Sequence, residues 1–87
     1  MPHRIEYRPE ALRNLKKLDA TMLRRILSRI EELANDPRPH GVETLTGPER
    51  LYRVRVGDYS IVYTIRDPAL LVLVVRVGHR REVYRGL

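Results

Sequence analysis

The sequence predicts a two-layer α+β domain in the order strand, helix, helix, strand, strand, strand. Three observations predict it. Apolar residues recur at helical spacing through residues 9–18 and again through 22–34. Residues 50–66 alternate in two runs around Gly57-Asp58, the pattern of a β-hairpin. Leu70 to Val77 is apolar almost throughout, as expected of a central strand buried on both faces. A helical hairpin and a three-stranded antiparallel meander each leave one apolar side, and each buries the other.

The elements follow in order. His3 to Tyr7 alternates and is β-prone at Ile5 and Tyr7, which predicts a first strand. Pro9 suits a helix start, and Glu10 is favourable in a first turn. With Ala11, Leu12, Leu15 and Leu18 it predicts a helix from Pro9 to Lys17 or Leu18. Asp19 or Thr21 caps a second helix, whose stripe is Met22, Leu23, Ile26, Leu27, Ile30, Leu33 and Ala34. Asn35-Asp36-Pro37 ends it. Residues 36–49 read as a loop, with Leu45 as its anchor into the core. Strands are predicted over 50–56 and 59–66, Asp67-Pro68 is a turn, and Gly78 ends the strand that begins at Leu70.

In the hairpin, Tyr52, Val54 and Val56 share one face, and Leu51, Arg53 and Arg55 share the other. The first face suits a core. The second sets two guanidinium groups roughly 6–7 Å apart on one side of a sheet. From spacing alone, an ordinary solvated face is the slightly better reading of that pair. Tyr52, Tyr59 and Tyr63 read as core, with base stacking a lesser alternative.

At 87 residues the chain, 1–87, is expected to form one domain with one small core. It has no cysteine, hence neither a disulfide nor a Cys-ligated metal. No signal peptide is expected behind Met1-Pro2-His3-Arg4, and the longest apolar run is too short to span a bilayer. A cytoplasmic protein without membrane contact is the expectation. The formal charge is +6. Residues 50–87 carry eight arginines against three acidic residues, a net of +5, which leaves +1 for the rest. Arginine-rich base composition accounts for most of the preference for arginine over lysine. The clustering points instead to a polyanion or an acidic protein partner.

The chain lacks HExxH, a Gly-rich phosphate loop, CxxC and GxSxG, and its three histidines are isolated. Neither a cofactor nor a metal is expected. The available chemistry is that of Arg, Tyr and His. This set suits RNA cleavage, because RNA brings its own 2′-OH nucleophile. Arg53, Arg55, Arg80, Tyr84 and His79 are the candidates. A surface role is the stronger reading of His79 taken alone. A solvated tail or a salt bridge to Glu82 accounts equally for Arg80, and a ring folded over the sheet accounts for Tyr84.

Several segments resemble the RelE/ParE toxin superfamily of type II toxin–antitoxin modules. They are Leu45-Thr46-Gly47, Tyr52-Arg53-Val54-Arg55-Val56-Gly57-Asp58-Tyr59-Ser60-Ile61-Val62-Tyr63, Val77-Gly78-His79-Arg80 and Glu82-Val83-Tyr84. Ala11 to Asp19 resembles that family's first helix. The resemblance implies a microbial-RNase-like α+β fold. In its RelE branch it implies a ribosome-dependent mRNA interferase that cuts the A-site codon without metal, by 2′-OH attack. It implies a RelB-like, acidic cognate antitoxin, and contact with operator DNA only through that antitoxin. Carried over by residue, Arg53 and Arg55 are the basic pair of the second strand. Arg80 stabilises the transition-state phosphate, and Tyr84 serves proton transfer or RNA orientation. Arg50, Arg53, Arg55, Arg66 and Arg81 are the expected RNA contacts. One position departs: Ser60 stands where RelE-type enzymes often carry arginine, with Arg66 or His79 as candidate substitutes. The alternatives are a ParE-like gyrase inhibitor acting by protein binding, and an inactive homologue serving as an antitoxin-binding corepressor.

Overall fold

The computed structural model describes residues 2–79. Its elements are β1 (Arg4–Tyr7), α1 (Pro9–Lys16), α2 (Ala20–Asn35), β2 (Glu43–Leu45), β3 (Leu51–Val56), β4 (Tyr59–Arg66) and β5 (Leu71–His79). A 3-10 turn at Asp67–Ala69 joins β4 to β5. The five strands form one sheet in the order β1-β5-β4-β3-β2. β1 runs parallel to β5, and the other pairs are antiparallel. The α+β architecture matches the expectation from sequence.

Both helices pack on one face of the sheet. Asp19 caps α2 by accepting a hydrogen bond from the Met22 amide at 2.8 Å. Asp19→Ala should cost about 1 kcal/mol. That appears as a melting temperature lower by roughly 4–8 °C for a domain of this size. From α2, Ile26, Ile30 and Leu33 are buried against Val54, Val56, Ile61, Tyr63, Val72, Val74 and Val77. α1 adds Ala11 and Leu15. α1 also closes an edge. β1 covers β5 only as far as Val74, where the Arg8 amide donates to the Val74 carbonyl at 2.9 Å. Beyond that point Asn14 Oδ1 accepts from the Val77 amide at 3.1 Å, so the exposed edge of β5 is satisfied by a side chain.

Three expectations are corrected. The 36–49 segment contains a strand: Glu43–Leu45 pairs with Leu51–Arg53. Three residues are too few to carry a readable alternation. Leu45 anchors a second, smaller cluster with Leu51, Val62 and Val75 on the opposite face of the sheet, not the main core. Gly78 does not end its strand; it pairs with Ser60, and β5 continues to His79.

A β-bulge organises the sheet. Tyr63 lies opposite Val74 and Val62 lies opposite Arg76, so Val75 is the extra residue. Val74 and Val77 face the helices. Val75 and Arg76 both turn to the opposite face, where Val75 joins the second cluster. Without the extra residue, strict alternation would put Arg76 in the main core and Gly78 beneath the helices.

Candidate nucleic-acid interface

Register assigns the side chains of the helix-free face, because residues directly opposite one another in antiparallel strands share a face. One row is Glu43, Arg53, Val62 and Arg76, running from β2 across to β5. The next row is Arg55, Ser60 and Gly78. Among the described residues, three arginines therefore surround the middle of β4. Arg53 and Arg55 stand on one side of it. Arg76 stands on the other, two strand spacings or about 10 Å from Arg53.

Carboxylates at the flanks hold these cations. Glu43 accepts a hydrogen bond from Arg53 Nη2 and lies 3.9 Å from Arg55 Nε. Glu10, at the start of α1, accepts from Arg76 Nη2 at 3.1 Å. Arg53 and Arg76 each keep only 12% of their side-chain surface exposed, whereas Arg55 keeps 54%. Half-exposed carboxylates add little to stability in such pairs. Their effect is to fix the direction of two largely buried guanidinium forks. The Ser60 hydroxyl is buried beside them and has no hydrogen-bond partner among the described residues.

An open cavity of roughly 700 Å³ adjoins this cluster. Leu45, Leu51 and Val75 line its apolar side, and Arg76 and Glu10 line the other. An Arg8–Glu49 ion pair at 3.6 Å contributes residues to the same lining. The combination offers apolar surface for a base or an aliphatic side chain next to a guanidinium.

The remaining predicted residues are placed as follows. Arg66 is exposed at the far end of β4, six residues or roughly 20 Å from Ser60, too far to replace a cation there. Arg50 is exposed just before β3, and its carbonyl accepts from Thr64 Oγ1 at 2.8 Å. His79 pairs with Tyr59 on the helix-facing side, with ring centroids 5.9 Å apart, so the sheet separates it from Arg53 and Arg55. Arg80, Arg81 and Tyr84 lie outside the described residues.

The tyrosines at 52 and 63 are structural. Tyr63 is fully buried, its hydroxyl donates to the Pro37 carbonyl at 2.6 Å, and burial pushes its pKa up. Its ring stacks on Tyr52 at 5.7 Å. Arg38 covers Tyr52 from 5.6 Å and forms a two-pronged pair with Asp67 at 2.8 and 3.3 Å. The Arg38 guanidinium holds the Asp67 carboxyl below the usual carboxylate range. Sequence reasoning missed Arg76, Glu43 and Glu10. Arg76 was visible as a charge inside an apolar run, and the bulge that aims it was not.

Residues 5–84 match the family model described as the ParE toxin of the type II toxin–antitoxin system, parDE. Toxin RelG of Mycobacterium tuberculosis is 28% identical over 86 residues, covering 98% of this chain and 99% of that one. The mRNA interferase toxin RelE of Escherichia coli K12 is 27% identical over 88 residues, covering 97% and 92%. The archaeal RelE–RelB complex from Pyrococcus horikoshii superposes with a TM-score of 0.81 at 25% identity, covering 94% of this chain and 99% of that one.

Proposed function

The chain belongs to the ParE toxin family of type II toxin–antitoxin systems, and from that premise we propose that it is a RelE-like mRNA interferase that cuts the A-site codon on the ribosome. The observation that carries this reading is the arginine cluster. Arg53, Arg55 and Arg76 converge on one sheet face, with two of them fixed by carboxylates. Such a site recognises a phosphodiester and stabilises charge that develops on it.

In the proposed reaction the 2′-OH oxygen attacks the adjacent phosphorus while the bond to the 5′ oxygen breaks. The products are a 2′,3′-cyclic phosphate and a 5′-hydroxyl. One proton leaves the 2′-OH and one is delivered to the departing oxygen. Arg53, Arg55 and Arg76 hold the phosphate and neutralise the extra negative charge of the transition state. Glu43 and Glu10 keep the forks aimed. On the family resemblance, Arg80 adds a further cation and Tyr84 serves proton transfer. His79, on the helix side, has no part in this scheme. Arg76 supplies the charge that Ser60 lacks, as its diagonal neighbour on β5.

Arg76→Gln should slow cleavage about a hundredfold, the usual cost of one transition-state donor. Glu10→Gln should cost far less, because the guanidinium remains. Equal losses in the two variants would make the pair a strut between α1 and the sheet. Neutralisation by a cognate RelB-like antitoxin is part of the proposal, supported by similarity to toxins solved as RelE–RelB complexes. Purified protein added to translating ribosomes should create new 5′ message ends inside the A-site codon, read by primer extension. The family model's own description favours a second reading, a ParE-like gyrase inhibitor. Intact message together with lost gyrase supercoiling would establish that reading instead.

A further inference from the structure

We infer that a basic groove beside the arginine cluster, between α2 and the β3–β4 turn, binds the phosphate backbone of RNA outside the cleaved segment. The inference rests on the nuclease reading for its ligand. It rests on separate residues for its site.

The groove is shallow and open, with a volume of roughly 490 Å³. Among the described residues, Arg24, Arg25, Arg29 and Arg55 line it with one carboxylate, Glu32, and Glu43 reaches Arg55 from outside the lining at 3.9 Å. Its geometry follows from the sheet. β2 pairs with β3 only through Arg53, so Arg55 stands where β3 is an edge, on the border between the helix-free face and α2. The Arg25 guanidinium comes to the β3–β4 turn, where a Cβ added at Gly57 would lie 3.5 Å from both of its terminal nitrogens. Gly57 has φ +59°, which a glycine adopts without strain. Arg29 is oriented by Glu32 at 3.1 Å.

This arrangement carries a small electrostatic cost within the helix. Arg25 and Arg29 are an i,i+4 pair of like charge, which weakens a helix by a few tenths of a kcal/mol. Arg24 and Arg25 are exposed. Guanidinium groups concentrated in a groove raise the local potential and draw in a polyanion. The lining also narrows the class of ligand. Among the described residues it contains no aromatic ring to stack on a base, and its one apolar side chain is Val56. An acidic helix would need an apolar stripe to dock on, and the described residues of the lining offer none. A phosphate backbone needs only the forks. Arg55 belongs to both sites, so a strand held at the cluster continues around the sheet edge onto α2.

The test measures binding of a fluorescein-labelled 2′-O-methyl oligoribonucleotide, which cannot be cut, across a salt series. Arg24→Gln/Arg25→Gln should weaken binding about tenfold near 0.1 M salt. Its log–log salt slope should be shallower by about 1 to 1.5, the signature of two lost phosphate contacts on a single strand. Both side chains are exposed, so thermal melting verifies that the fold is retained. RNA binding with unchanged affinity and slope overturns the inference. So does a variant that loses only affinity for labelled oligoglutamate, which would assign the groove to an acidic protein. Wild-type protein that shows this RNA binding but never cuts ribosome-bound message supports the groove while refuting the nuclease reading.

Discussion

Arg53→Gln/Arg55→Gln should lower the single-turnover rate of mRNA cleavage on the ribosome by about a thousandfold or more. A single transition-state donor is worth about a hundred- to a thousandfold. The two arginines serve one phosphate and share Glu43, so their losses will not add independently. The fold should survive. Glu43 is half-exposed and regains water when its partners go, and the ion pairs contribute little to stability. A melting temperature near that of the wild type, measured beside the cleavage rate, separates loss of chemistry from loss of structure. Arg53→Lys should recover only part of the rate, because an ammonium keeps the charge but not the planar fork. Less than a fivefold loss in the double variant would move the phosphate site off this face.

Tyr63→Ala should destabilise the domain by about 3–5 kcal/mol, the range for deleting a buried aromatic. The ring is fully buried, stacks on Tyr52 and ties the segment after α2 to the sheet through the Pro37 carbonyl. Total stability of such domains is about 5–15 kcal/mol. The variant should therefore be largely unfolded at moderate urea. Tyr63→Phe keeps the ring and strands one carbonyl, for a loss of about 1–1.5 kcal/mol. Urea denaturation with matched m-values measures both. This variant loses activity through the fold, the opposite of the arginine pair.

The sequence exposed most of the fold because its signals are local. The stripe of α2, the alternation of β3 and the Gly57-Asp58 turn each follow from a few neighbouring residues. The departures are not local. β1 lies parallel to β5 at the far edge, a pairing across more than sixty residues that no periodicity encodes. The bulge at Val75 adds one residue to β5 and reverses the facing of everything after it. That reversal brings Arg76 into the cluster and puts His79 on the helix side. Glu10 lies far from Arg76 in sequence, and Glu43 sits in a strand too short to read just ahead of the hairpin, so spacing within the hairpin could not find them. Arg24, Arg25 and Arg29 lie outside the apolar stripe of α2, and only the edge of β3 brings Arg55 across from them.

The measurement closest to the central claim uses message carrying one 2′-O-methyl group at the scissile nucleotide of the A-site codon. The proposed chemistry requires the free 2′-OH. Wild-type protein should cut the unmodified message on the ribosome, leave a 2′,3′-cyclic phosphate on the upstream fragment, and spare the modified message entirely. Cleavage of the modified message at the same bond would contradict the account.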